Sequence, residues 1–112
     1  MTEWRSLAER MVAEQIEARG VRGAVLKAMA SVPRHLYVNE NLRESAWIDS
    51  PLPIGEDQTI SQPYMVGRMT ELLDPAPGDS ILEVGTGSGY QAAVLCAMGA
   101  KVISMERIEK LA

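Results

Sequence analysis

A chain of 112 residues, 46% of them hydrophobic, is long enough for one domain that buries about two-thirds of its unfolded surface, and too short for two. Its 11 basic and 15 acidic residues leave a formal charge of −4, without a basic block to track phosphates or a run of about 18 apolar residues to span a bilayer, so neither nucleic-acid nor membrane partners are expected. The single cysteine, Cys96, excludes an intrachain disulfide, and an opening that carries Glu3 and Glu9 does not read as a secretion signal, so a cytoplasmic location is expected.

Trp4, Leu7, Ala8, Met11, Val12 and Ile16 recur at steps of three and four, which predicts an amphipathic helix that ends near Arg19 with Gly20 as its stop. Val21, Ala24, Val25, Ala28, Met29 and Val32 repeat the pattern as far as Pro33, whose ring and missing N–H disfavour further helix. The methionines on these stripes are expected to fill core. From Pro33 to Gln62 the period is lost, and Pro51, Pro53 and Gly55 predict a loop with short extended pieces. Its apolar residues Leu36, Tyr37, Val38, Leu42, Trp47, Leu52 and Ile54 point to packing, and its length points to function. His35 has no partner at metal-ligand spacing and is read as a packing or hydrogen-bonding residue.

Pro63 is a good first helical residue, and Val66, Met69, Leu72 and Leu73 predict the buried face of a helix ending at Asp74-Pro75. After the turn from Pro75 to Asp79, the apolar run Ile81 to Val84 is expected to be a buried strand of a parallel sheet. A helix from about residue 89 to 98 follows and stops at Gly99; Cys96, with nothing nearby to lower its pKa, is expected there as a buried structural thiol. Lys101 to Met105 predicts a second strand, joined in parallel by a right-handed crossover, and Arg107 to Ala112 opens another helical pattern. Two strands are too few for a doubly wound sheet covered on both faces.

The order strand, glycine turn, helix, strand and terminal acid points to a nucleoside site. Gly85, Gly87 and Gly89 carry no Cβ, so a ligand can approach the backbone, with Ser88 and the first helical amides facing it. The spacing is G-x-G-x-G behind the acidic Glu83, unlike the G-x-G-x-x-G of dinucleotide sites, and it points to S-adenosyl-L-methionine. Glu106, 21 positions after Gly85, stands where an acid accepts hydrogen bonds from ribose hydroxyls. The alternative is that the glycines only tighten a connection and that Glu106 is a solvated strand-end charge.

Two segments together resemble the protein-L-isoaspartate O-methyltransferase family: the stretch from Asp49 through Gln58-Thr59-Ile60-Ser61-Gln62-Pro63 to Val66, and Leu82-Glu83-Val84-Gly85-Thr86-Gly87-Ser88-Gly89-Tyr90-Gln91-Ala92-Ala93. Val32-Pro33-Arg34 and the opening helices extend the likeness over nearly the whole chain. The resemblance implies an α/β fold, the N-terminal part of a Rossmann-like methyltransferase with its sheet incomplete. Residues 1–62 would supply helices and a substrate and cofactor loop, and residues 63–112 the first part of the Rossmann-like unit. It implies methyl transfer from S-adenosyl-L-methionine to the free carboxylate of L-isoaspartyl residues in damaged proteins, whose ester then collapses to a succinimide. Ser61 takes the catalytic position, with cofactor contacts at Thr59, Ile60, Glu83, Gly85, Thr86, Gly87, Ser88, Gly89 and Glu106. Asp57 departs from the glycine usual in the family and adds a charge beside the acceptor site. Two other readings stay open: an inactive cofactor-binding module that self-associates through an exposed sheet edge, and a methyltransferase with another acceptor. Ser61 is also placed to cap the helix that begins at Pro63.

Overall fold

The computed structural model describes residues 3–55, 58–85 and 87–105. Helix α1 (Glu3–Met11) runs into a π-helical turn (Val12–Ile16) and a 3-10 turn (Glu17–Arg19), and Gly20 ends the run at φ 98°, the left-handed stop its position predicts. Helix α2 (Ala24–Ala30) follows. The 33–62 stretch contains the short extended pieces expected, β1 (Leu52–Gly55) and β2 (Gln58–Ile60), paired antiparallel with Leu52 opposite Ile60. It also holds two 3-10 segments, Arg34–Tyr37 and Glu40–Ser45, that no apolar period announces. Helix α3 (Pro63–Leu73), strand β3 (Ser80–Val84), helix α4 (Tyr90–Ala97) and strand β4 (Lys101–Met105) complete the described chain. Strands β3 and β4 are parallel, in register from Ser80 opposite Lys101 to Val84 opposite Met105. The helical pattern at 107–112 lies outside the described residues.

One apolar core joins both halves. Met11, Val12, Ile16, Val25 and Met29 from the opening helices pack with Val38, Leu52, Ile60, Val66, Tyr90 and Val94. Met11 and Met29 are the core filler expected of them, whereas Leu7, on the predicted stripe, is exposed. His35 packs between Trp4 and Trp47, at ring-centroid distances of 6.0 and 5.7 Å.

Three expectations about burial are corrected. On α3 only Val66 of the four apolar residues is buried; Met69, Leu72 and Leu73 are exposed, and the helix instead buries Pro63, Gly67 and Thr70. The cause is a close helix contact: a Cβ on Gly67 would lie 2.8 Å from Ile16 Cγ2 and 3.4 Å from Met29 Sδ, so the side with the least side chain turns inward. Strand β3 is not buried on both faces. Leu82, Val84 and Ile103 are 61%, 79% and 67% exposed and share one side of the strand pair, while α4 packs against β4. Cys96 is exposed: Tyr90, Val94 and Leu95 define the buried stripe of α4, and position 96 falls about 100° beyond Leu95 and about 200° round the helix from Val94.

Gly67→Ala is expected to destabilise the protein by about 1–3 kcal/mol, since Ile16 and Met29 are buried and have little room to yield. The gain of about 1 kcal/mol in helix propensity offsets part of this and leaves a net loss of up to about 2 kcal/mol. Thermal unfolding decides it: a melting temperature equal to or above wild type would contradict the close contact.

Candidate functional site

The sharp bend after β3 is made where the sequence places its glycines, with Gly85, Gly87 and Gly89 at φ 84°, 57° and 87°. Beyond it, the Ser88 hydroxyl accepts a 3.2 Å hydrogen bond from the Tyr90 amide, satisfying one of the first donors of α4. The β2 strand and the start of α3 come up beside this bend. Thr59, Ile60, Ser61, Glu83, Gly85, Gly87 and Ser88 all line one hollow of about 110 Å³, together with Val66, Tyr90 and Gln91.

Seven of the ten residues singled out in the sequence thus meet around one space, although 24 positions separate Ser61 from Gly85. Gly89 stands behind the bend, where a Cβ would sit 3.9 Å from the Tyr37 ring. Thr86 and Glu106 lie outside the described residues, as does Asp57. Glu83 is held from the neighbouring strand, accepting a 2.8 Å hydrogen bond from the Ser104 hydroxyl.

Ser61 is exposed, and its hydroxyl has no hydrogen bond among the described residues. It does not cap α3: the cap position is Gln62, which makes no capping side-chain bond. Gln62 instead donates to Asp49, which also pairs with Arg19. These two bonds hold the Asp49 carboxyl below the usual carboxylate range, the Arg19 contact first. Arg19 in turn lies over the Tyr64 ring at 5.3 Å. The exposed network of Arg19, Asp49, Gln62 and Tyr64 thereby steadies the entry to α3 next to Ser61.

Tyr90 and Gln91, to which the sequence assigns no role, both form walls of the hollow. Gln91 Nε2 donates to Thr70 Oγ1 at 2.8 Å, linking α4 to α3. Burial pushes the Tyr90 phenol up to about 12, opposed in part by the positive charge of Arg34. A folded pKa above the unfolded value of about 10 means that Tyr90 stabilises the fold fully below pH 10 and loses that contribution as pH rises towards 12. Alkaline titration followed by tyrosinate absorbance is expected to show a late phase that disappears in Tyr90→Phe; identical titrations would exclude a buried phenol.

At about 110 Å³ the hollow is smaller than the roughly 300–1,000 Å³ of typical small-ligand pockets, and these residues form its wall. The wall combines bare backbone at the bend, a carboxylate at Glu83 and hydroxyls at Thr59, Ser61 and Ser88. No group of three or more His, Cys, Asp or Glu able to hold a metal occurs among the described residues. Likewise, no helix among them is long and apolar enough to cross a membrane.

The chain is similar to the protein-L-isoaspartate O-methyltransferase of Methanospirillum hungatei, at 66% identity over 105 residues that cover 93% of this chain and 49% of that protein. The protein of the same name from Methanoregula boonei is 57% identical, over 92% of this chain and 48% of its own length. The chain thus spans about half the length of the curated relatives it matches. Among solved structures, a protein-L-isoaspartate O-methyltransferase superposes with a TM-score of 0.80 at 25% identity, covering 96% of this chain and 35% of that one. A second, described as a candidate enzyme of this kind from Plasmodium falciparum in complex with S-adenosyl-L-homocysteine, gives 0.76 at 29% identity, covering 93% and 50%. The fold is accordingly α/β, the N-terminal portion of a Rossmann-like methyltransferase. The family model for protein-L-isoaspartate (D-aspartate) O-methyltransferase matches residues 6–112, and the chain belongs to that family.

Proposed function

We propose that this chain carries the cofactor turn and the acceptor-positioning residue of an enzyme that methylates the free carboxylate of L-isoaspartyl residues in damaged proteins. The observation that carries the reading is the shared hollow: Ser61 lines the same space as Gly85, Gly87 and Ser88. S-adenosyl-L-methionine, when bound, provides an electrophilic sulfonium methyl. The fit is chemical: bare backbone at Gly85 and Gly87 admits a nucleoside, and Thr59, Ile60, Glu83, Ser88 and Gly89 border or back that approach, with Thr86 and Glu106 proposed to join them.

An isoaspartyl carboxylate is ionised at pH 7, so no strong general base is needed. A carboxylate oxygen bonds to the methyl carbon as the carbon–sulfur bond breaks, and the bonding pair stays on sulfur as a neutral thioether. The work left to the chain is orientation, which can lower a barrier by about 7–11 kcal/mol when two reactants are held in line. The uncommitted Ser61 hydroxyl is suited to donate to the carboxylate oxygen that does not attack. We also propose that residues 1–62 and 63–112 serve this site as one unit, and that the protein works in the cytoplasm, where a lone exposed thiol stays reduced. Incubation with a synthetic L-isoaspartyl peptide and methyl-labelled cofactor tests the activity; ester formation no greater than with the matching aspartyl peptide would refute it for this chain.

A second reading rests on the open face of β3 and β4. Leu82, Val84 and Ile103 form an apolar strip on a sheet that has two strands among the described residues, which favours a cofactor-binding module that pairs with another copy through its sheet. Sedimentation over a range of concentrations separates the two: a monomer throughout would exclude self-association.

A further inference from the structure

Arg34 is fully buried, at 0% exposure, yet among the described residues no carboxylate pairs with it. Burial accordingly pulls its pKa below the ordinary arginine value. Instead of an ion pair it holds three separate stretches of chain. Its Nε donates to the Ala46 carbonyl at 2.6 Å, and its Nη2 donates to the Ser61 carbonyl at 2.8 Å. Its guanidinium carbon lies 4.8 Å from the centroid of the Tyr90 ring. The same 3-10 turn presents Tyr37, which meets Tyr90 edge-on at 5.8 Å and lies against Gly89.

A buried guanidinium is a costly way to fill a core; apolar residues of like volume are often as stabilising or more so. What an apolar residue cannot do is bridge two carbonyls in a fixed plane. The Ser61 carbonyl sits immediately before the α3 cap residue Gln62 and Pro63, and Pro63 has no N–H to anchor the approach. Without the arginine, nothing else among the described residues donates to that carbonyl. Tyr90, on the other side, is the first residue of α4 beyond the glycine bend.

We propose that Arg34 is a positioning residue that sets the separation of Ser61 from the glycine bend, holding the Ser61 backbone with one arm of its guanidinium while its face rests on Tyr90. Arg34 touches neither reacting partner and acts only through these two neighbours. Its consequence for turnover rests on the function proposed above; the tether itself does not.

The test is amide exchange read by mass spectrometry on the whole chain. Arg34→Lys keeps a positive charge near Tyr90 but loses the planar fork that bridges the Ala46 and Ser61 carbonyls, so the peptide spanning 58–66 is expected to exchange at least about tenfold faster than in wild type, with 91–98 within about twofold. Arg34→Met, which restores volume without charge, should give the same split and serves should the lysine variant not fold. Unchanged exchange at 58–66 in a folded variant overturns the proposal. So does equal acceleration of 58–66 and 91–98, which is general loosening of the core. Kinetics give an independent reading: turnover is expected to fall at least about tenfold at unchanged S-adenosyl-L-homocysteine affinity, and unchanged turnover overturns the positioning role. A wild-type chain that transfers no methyl refutes the proposed function alone, because the exchange result still decides the tether.

Discussion

Gly87→Val is expected to abolish binding of S-adenosyl-L-homocysteine, raising its dissociation constant by about 100-fold or more, equivalent to roughly 3 kcal/mol. Two effects combine. Gly87 has φ 57°, in the left-handed region where a β-branched side chain is a true outlier, so the bend must either strain or change shape. The valine methyls would also enter the hollow that Gly87 lines, beside Ile54, whose Cδ1 already stands 3.6 Å from the place of a Cβ. Gly87→Ala is the graded control. Its single methyl meets only ordinary contact, leaving about 1–2 kcal/mol of backbone strain and a loss of roughly tenfold. Calorimetric titration of both variants, with circular dichroism to verify folding, reads the series. A folded valine variant with wild-type affinity would remove the bend from the binding site.

Ser61→Ala is the complementary result. Removing a hydroxyl that donates to a carboxylate costs about 1.5–3 kcal/mol, so turnover should fall by roughly 10- to 150-fold, with cofactor affinity within about threefold. The substitution is clean. The Ser61 hydroxyl caps nothing, and the bond from Arg34 goes to the backbone carbonyl that alanine keeps. Stability should therefore hold while turnover drops, and equal loss of turnover and cofactor affinity would refute the division of labour between Ser61 and the glycine bend. Together the two substitutions test the proposed division of one hollow into a cofactor side and an acceptor side.

Much of this site was legible because local chemistry enforces it. Glycines at 85, 87 and 89 can take a positive φ at little cost, so the bend follows from composition alone, and all three do take it. Gly20 stops its helix for an equally local reason, and that boundary holds, whereas α2 ends at Ala30, short of Pro33, which instead leads into a 3-10 turn. The two 3-10 segments in the 33–62 stretch were not legible, since their short turns have no apolar period long enough to detect.

Burial failed wherever a pattern had more than one face to offer. Helix α3 carries apolar residues at 69, 72 and 73, yet buries Gly67 and Thr70 because the turn at Ile16 presses there. Helix α4 is apolar on most sides, so Cys96 could not be assigned to the inner one from sequence. The alternation of β3 does not say whether anything covers its second face, and among the described residues Leu82 and Val84 stay bare.

By itself the sequence determined the order of elements, the glycine bend and the family signature, each of which is written in neighbouring residues through backbone sterics and short-range hydrogen bonding. Only the tertiary structure decided that Ser61 and the bend share one hollow, that Arg34 binds Ser61 and Tyr90 from within the core, and which faces of α3 and β3 lie open. Those outcomes depend on contacts between residues far apart in the chain, where close packing rather than local preference selects one arrangement.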